Sequence, residues 1–398
     1  MKAVQINSVC EKGSTGRICA SLSRYLTEKG VENHILYSLG NSRLPNAKKI
    51  SPDKYIKSQA LRSRILGNYG FNSASATKKI VDFLESVKPD IVHLHNIHGH
   101  DCDLGGLFDY LTANDMRVVW TFHDCWAFTG YCTHFLLSGC DKWKTRCENC
   151  VQYKKYSLFF DRSKTLFDRK KELLKKADLT IVTPSRWLKG RVGLSFLKDR
   201  RVEVIPNGID RSVFRPVVSD FREKYGIAPG KKIVLGVSFN WGNAKGLDIF
   251  TGLSKILDPD IYRIVLAGVS DQVKKDIPES IITLPRVDDV SELVGIYSAA
   301  DVFVNPSRAD TFPTVNMEAL ACGLPVIALE RGGNTEVITE KTGISVQSDD
   351  VNEFKTAVED ICEKGIIDRE ACLESASAFD TANQLDSYYS LYRELIGQ

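Results

Sequence analysis

The sequence predicts an α/β protein made of two doubly wound, Rossmann-like domains that face each other across a cleft. Short, nearly continuous apolar runs alternate along the whole chain with amphipathic stretches, the pattern of parallel strands covered by helices. The alternation comes as two successive series, parted at Val204-Ile205-Pro206-Asn207-Gly208-Ile209-Asp210, where proline and Asn-Gly break the periodicity. A length of 398 residues leaves room for two large cores.

In the first series, Ala3–Ile6, His34–Tyr37, Asp90–Leu94, Val118–Phe122 and Leu179–Val182 read as strands. Between them, Ile18–Tyr25 and Ile80–Val87 carry apolar residues at spacings of three and four and read as helices. The second series opens at Lys232 with Ile233–Val237 and continues through Ile264–Gly268, Ile281–Leu284, Val302–Val304 and Pro325–Ala328. Runs so continuously apolar suit strands buried on both faces. The domains are accordingly expected at 1–205 and 206–379, with a C-terminal helix at about 380–398 returning to the first. Cys125–Phe160 breaks the rhythm: it has little periodicity and is rich in aromatic residues and cysteine, so it is expected to be functional or held by a local device. Sheets of this kind bind ligands beyond their strand C-termini, which makes the loops there the candidate sites.

With 43% hydrophobic and 26% charged residues, 28 Gly and 13 Pro, the chain is not a disordered, collagen-like or small disulfide-bonded protein. No uncharged apolar run reaches the roughly 18 residues of a membrane-spanning helix. Met1–Asn7 opens directly into a strand-like segment, without the apolar core and cleavage site of a signal peptide. Eleven cysteines in such a chain point to thiols or metal ligands in a reducing compartment, and so to a cytoplasmic protein. The net charge of +3 hides an asymmetry, because residues 141–201 hold 18 Lys and Arg against 7 Asp and Glu. A block of that charge attracts phosphorylated substrates or an acidic membrane surface. For any single lysine in it, a solvated helix face is the plainer reading.

The first strand leads into Cys10-Glu11-Lys12-Gly13-Ser14-Thr15-Gly16-Arg17 and then a helix. Its two glycines allow close backbone approach, and the helix start can hold an anion. A tight turn with Thr15 as helix cap explains the same residues. The segment is not the Gly-x-Gly-x-x-Gly of dinucleotide-binding proteins, which argues against a dehydrogenase. His123 and Asp124 follow an apolar strand, where an imidazole can hydrogen-bond a polar substrate. A satisfied core histidine is the alternative. His93, His95, His98 and His100 have no clean metal-ligand spacing and are expected to pack a loop. Cys132-x7-Cys140-x6-Cys147-x2-Cys150 gives four thiols, with Cys125 and His134 nearby. A Cys-x2-Cys end with two further cysteines suits a tetrahedral structural zinc that would order the loop. Reduced cysteines packed as small hydrophobes, or disulfides, are the alternatives.

The most informative stretch runs Asn305-Pro306-Ser307-Arg308-Ala309-Asp310-Thr311-Phe312-Pro313-Thr314-Val315-Asn316-Met317-Glu318-Ala319-Leu320-Ala321-Cys322-Gly323-Leu324-Pro325-Val326, then Gly332-Gly333-Asn334-Thr335-Glu336. It resembles the retaining glycosyltransferases of family 4, of the bacterial, colanic-acid-like polysaccharide type, which have the two-domain GT-B fold. Their pattern is an acidic residue, seven residues, Glu opening a helix, Ala-Cys-Gly-x-Pro-Val, and a Gly-Gly-x-x-Glu turn. The Gly13–Gly16 turn, the His123 strand end, Asn207–Asp210 and Lys245-Gly246 occur in the family's order, so the resemblance covers nearly the whole chain.

The resemblance implies a donor site for a UDP- or GDP-sugar. Glu318 would accept the ribose hydroxyls, a charge-assisted pairing. Asp310 would face the transferred sugar, Lys245 would neutralise the departing diphosphate, and the N–H groups of Thr314 and Val315 would hold diphosphate and sugar. His123 would touch sugar hydroxyls, Gly16 would admit phosphate or acceptor, and the base would rest on backbone near Arg286 and Val287. Retention without a metal or any other cofactor is implied, by front-face attack resting on positioning and electrostatics. The acceptor would be a glycan or polyprenyl-diphosphate-linked sugar in surface polysaccharide assembly. Lys54–Lys57 and Leu61–Leu66, with the basic block, could then lie against the inner membrane face.

Two departures stand out. Asp310 replaces the family's usual Glu. Val237–Ala244 also lacks the arginine that usually precedes the phosphate lysine, leaving Ser238 and Asn240 as neutral donors. A nucleotide-sugar epimerase of the same fold and a non-catalytic binding protein are the competing readings. Nucleic-acid binding through the basic, cysteine-rich segment has no other support in the chain, and no nucleic-acid partner is expected.

Overall fold

The computed structural model describes residues 1–397, which divide into two compact units. One comprises Met1–Pro206 and the C-terminal segment from Gln384; the other is Asn207–Asn383.

The first unit has a seven-stranded parallel sheet of β1 (Lys2–Ile6), β2 (Glu32–Tyr37), β3 (Ala47–Lys49), β4 (Ile91–Leu94), β5 (Val118–Thr121), β6 (Leu179–Thr183) and β7 (Arg201–Val204). Their order is β3-β2-β1-β4-β5-β6-β7, so the winding reverses between β1 and β4. All of β4, β5 and β6 is buried, as their apolar runs require. Alternate residues serve opposite faces. Val4, Val92, Val118 and Ile181 join one core, and Ala3, Ile91, Val119 and Val182 the other. Leu385, Tyr388, Leu391 and Tyr392 of the helix Thr381–Leu395 complete the second core. The edge strands β3 and β7 had no apolar signal to announce them: each is short, part-exposed and lysine- or arginine-bearing, as edges tend to be.

The second unit has a six-stranded parallel sheet of β8 (Lys232–Val237), β9 (Tyr262–Ala267), β10 (Ile282–Leu284), β11 (Val302–Asn305), β12 (Val326–Leu329) and β13 (Gly343–Val346), in the order β10-β9-β8-β11-β12-β13. The winding reverses between β8 and β11. The unpredicted β13 pairs so closely with β12 that a Cβ on Gly343 would lie 1.9 Å from the Val326 carbonyl oxygen.

Residues 125–160 form only the single 3₁₀ turns Trp126–Phe128, Leu136–Ser138 and Lys142–Lys144 and the one-turn helix Tyr153–Tyr156. Their order comes from aromatic packing. Phe135 stacks on Trp143 at 4.5 Å, Phe128 meets Trp143 edge-on at 5.5 Å, and Tyr131 stacks on Tyr156 at 5.6 Å. The fully buried Lys170, on the helix Ser163–Lys176, donates to the carbonyls of Trp126 (2.7 Å), Thr129 (3.0 Å) and Gly130 (3.4 Å). Its ammonium also lies 3.6 Å from the Trp126 ring centroid.

Candidate functional site

In the second unit the candidate residues cluster at the C-terminal strand ends, around the reversal between β8 and β11. β8 runs out into the turn Asn243–Lys245, and Gly246 adopts φ +70°; a side chain there would strike Pro306 at 2.5 Å. Arg308 secures the turn, donating to the Asn243 carbonyl (2.6 Å) and to both carboxylate oxygens of Asp248 (2.7 Å each), with a further bond to Asp349 (2.9 Å). The Arg308 N–H also donates to the Ala244 carbonyl at 2.9 Å. The result is a direct ion pair: Lys245 Nζ lies 2.5 Å from Asp310 Oδ2, with both side chains part-exposed. Arg308 is no free phosphate cation, since two carboxylates neutralise it.

Asp310 leads into Pro313, whose missing N–H suits a helix start, and the helix Thr314–Ala321 begins with no side-chain cap. Its first N–H groups therefore retain the positive end of the helix dipole. Glu318, one turn on, is buried, and Oε2 accepts a 3.0 Å bond from the Tyr297 hydroxyl, whose pKa burial raises strongly. Three buried asparagines fix this helix. Asn305 Nδ2 donates to Asn316 Oδ1 (2.8 Å), Asn316 Nδ2 to the Asn334 carbonyl (2.7 Å), and Asn334 Nδ2 to the Ser307 carbonyl (2.6 Å). The Gly333 N–H bonds the Asp310 carbonyl at 3.1 Å. Lys245, Asp310, Thr314, Val315 and Glu318 thus belong to one braced region.

Ser238, Asn240, Arg286 and Val287 lie towards the other side of that sheet edge, after β8 and β10. Ser238 is buried and accepts from the Asn240 N–H at 3.3 Å. Gly268, at φ +86°, lets β9 end against it, because a Cβ there would fall 1.9 Å from the Ser238 carbonyl oxygen. Arg286 is exposed, bonds Asp288 at 2.8 Å, and rests 5.1 Å from the centre of the exposed Phe239 ring.

In the first unit, the helix after β1 begins at Gly13 with Lys12 as its uncapped N-cap residue, so Thr15 does not cap it. Gly16 sits inside the first turn, where a side chain would press on Val9 Cγ2 (3.2 Å) and the Glu11 backbone (3.3 Å). His123 lies just beyond β5, and Nε2 is 3.2 Å from Nδ1 of His95. Burial pushes the His123 pKa down to about 4 and that of His95 well below its usual value. His95 and His93 are therefore more than loop packing. β4 beside β5 brings these imidazoles together, and His93 is enclosed between Thr121 (2.8 Å) and Tyr392 (2.6 Å). Asp124 accepts from His98 Nε2 at 2.9 Å, and the His98 charge and bond hold its carboxyl below the usual range against the opposing effect of burial.

Cys132, Cys140, Cys147 and Cys150 all line one cavity of about 20 Å³, with Phe135 and Trp143. All are free thiols, and Cys147 Sγ accepts from the Gly130 N–H at 3.2 Å. Among the described residues, however, no group of three or more His, Cys, Asp or Glu is arranged to hold a metal ion, so the geometry lends the expected zinc no support.

Two family models match the chain: Glycosyltransferase Family 4 over residues 15–213 and Glycosyl transferases group 1 over residues 231–364. The chain belongs to glycosyltransferase family 4. This family 4 chain is 21% identical, over 99% of its length and all of the relative's, to the colanic acid biosynthesis glycosyl transferase WcaC of Escherichia coli K12. It is 22% identical to the N-acetyl-α-D-glucosaminyl L-malate synthase of Bacillus anthracis, over 82% of this chain and 78% of that one. Among solved structures it resembles sucrose-phosphate synthase from Thermosynechococcus elongatus, with a TM-score of 0.72 at 18% identity, over 100% of this chain and 99% of the other. HepE of Anabaena, solved with UDP-glucose, gives 0.69 at 14% identity, over 99% and 100%. These likenesses and the two parallel sheets make the fold GT-B.

Sequence reasoning missed Arg308 as a brace, the three asparagines, and His95 as the partner of His123, itself 3.1 Å from Gln5 Oε1. Only the pairing of distant strands shows these contacts; a polar residue after an apolar run was the sole hint.

Proposed function

We propose that this glycosyltransferase moves a sugar, with retention of anomeric configuration, from a UDP- or GDP-sugar to a glycan or polyprenyl-diphosphate-linked acceptor in surface polysaccharide assembly. The observation that carries the reading is the Lys245–Asp310 ion pair beside the uncapped helix Thr314–Ala321, at the winding reversal where such sheets bind ligands. Lys245 and the N–H groups of Thr314 and Val315 stabilise the leaving diphosphate, and Asp310, released from Lys245, meets the transferred sugar. Glu318 takes the ribose. The base rests on backbone near Arg286 and Val287, with Ser238 and Asn240 donating towards phosphate. His123 contacts sugar hydroxyls, and Gly16 admits phosphate or acceptor. The positive charge comes from protein, so catalysis is metal-independent. WcaC's part in colanic acid synthesis and HepE's UDP-glucose complex support the substrate classes.

The test is a panel of UDP- and GDP-sugars screened by thermal shift, then by transfer to lipid-linked and glycan acceptors in chelator, with the product anomer read by NMR. Specific stabilisation and a product of retained configuration are expected. Donor turnover to an isomeric nucleotide sugar without acceptor would mark an epimerase; binding without turnover would mark a non-catalytic protein, the reading favoured by the missing arginine in Val237–Ala244.

A cytoplasmic location, peripheral at the inner membrane face, completes the proposal. Among the described residues no helix is long and apolar enough to cross a membrane. Leu61 and Ile65, on the helix Asp53–Leu66, are exposed, as are Leu158, Phe159 and Phe160. A 2.7 Å bond from the Leu158 N–H to the Arg64 carbonyl joins the two groups, and Arg62, Lys154, Lys155 and Arg162 flank them. Apolar groups rimmed by cations suit an anionic lipid surface. Co-sedimentation with anionic vesicles at low salt, lost for Phe159→Ser/Phe160→Ser, is expected. Zinc in the cysteine cavity would require the four thiols to draw in; about one equivalent by elemental analysis would establish it, and metal-free, chelator-stable protein would dismiss it.

A further inference from the structure

A polar chain runs through the first unit from the backbone of its first helix to His123. Gln5, fully buried on β1, donates from Nε2 to the Cys19 carbonyl at 3.2 Å. A carbonyl can only accept, so the Gln5 amide is oriented and Oε1 is the atom that faces His95. His95 Nε2 lies 3.1 Å from that oxygen and must carry the proton. His95 is itself buried, its ring centre 4.0 Å from the tilted His93 ring and stacked 5.5 Å from the His123 ring, surroundings that keep it neutral. A neutral imidazole protonated on Nε2 has a bare Nδ1. His123 Nε2, 3.2 Å away, must therefore be the donor.

We infer that Gln5, acting through His95, locks His123 in the Nε2–H tautomer and leaves Nδ1 as the acceptor of that ring. Gln5 and His95 are positioning residues. On the reading that His123 meets sugar hydroxyls, a hydroxyl reaching Nδ1 does so as a donor, and the site discriminates against sugars that can offer only an acceptor there. The chain spans the winding reversal, from β1 across β4 to the end of β5, so three consecutive sheet neighbours set one proton. His93, held by Thr121 and Tyr392, packs against the His95 ring.

The test is long-range proton–nitrogen NMR on the full chain labelled with ¹⁵N-histidine at pH 7, assigned with His123→Asn. A bare Nδ1 and protonated Nε2 at His123 are expected; an Nδ1–H tautomer or a charged ring overturns the inference. Gln5→Leu should mix the tautomers and lower kcat about tenfold, the worth of one hydrogen bond. The nitrogen spectrum of Gln5→Leu, which a merely structural defect would not shift between tautomers, and its thermal unfolding together separate tautomer from fold. Failure of the underlying reading looks different: His123→Asn would then keep full transfer activity while the wild-type spectrum still showed the locked tautomer.

Discussion

Residues 305–334 and residues 125–160 both leave the C-terminal end of a central strand and both wander, yet they are held by opposite means. The first is braced by side chains bonding to backbone and to each other: Asn305, Asn316 and Asn334, with Arg308 clamping the Lys245 turn. It leaves Lys245 and Asp310 part-exposed at its surface. The second buries Trp126, Phe128, Tyr131, Phe135 and Trp143 among themselves and is pinned by one buried lysine. A directional hydrogen-bond frame fixes atoms well enough to aim charges at a ligand, whereas a packed aromatic body fixes shape. On the proposed function, chemistry belongs to the first and support to the second.

Acid should separate the units most strongly. All seven histidines lie before Pro206, and burial holds the pKa values of His93, His100 and His123 at about 3, 4 and 4. The unfolded chain protonates them near 6.5 and the folded chain does not. Stability from these groups is therefore complete above pH 6.5 and falls as pH drops towards 4, by about 1.4 kcal/mol per pH unit for each. Urea unfolding at pH 7 and pH 5, followed by hydrogen exchange in each unit, should show the first unit weakening and the second little changed.

Lys170→Met should destabilise the first unit by about 3 kcal/mol, because three carbonyls lose their donor; a midpoint shift under 0.5 kcal/mol, about the size of an ordinary surface change, would remove the pin from the account. Lys245→Ala should lower kcat about 100-fold with an unchanged melting temperature, the signature of a charge that serves the leaving group and not the fold. Asn316→Ala should do some of both, costing about 2 kcal/mol of stability and roughly tenfold in rate, since it loosens the helix whose N-terminus is aimed. If Asn316→Ala altered stability alone, frame and chemistry would be separable in that segment.

Much of the fold was legible because buried parallel strands must be continuously apolar; ten of the thirteen strands sit within or overlap runs readable by eye. β3, β7 and β13 are short, and their pairing, more than their residues, makes them strands. The positions of Lys245, Asp310 and Glu318 were legible as a spaced motif. The contact between Lys245 and Asp310 was not, because it depends on β8 lying next to β11.

The sequence alone determined which segments are buried, where one strand–helix series gives way to the next, and which chemical groups stand at strand ends, since hydrophobic periodicity and glycine or proline placement act locally. Tertiary structure alone decided which of those groups meet: Lys245 with Asp310, Gln5 with His95 and His123, four cysteines around one cavity. The physical reason is that hydrogen bonds and ion pairs act over about 3 Å, while strand order, which brings their partners within that reach, is settled by the packing of the whole sheet.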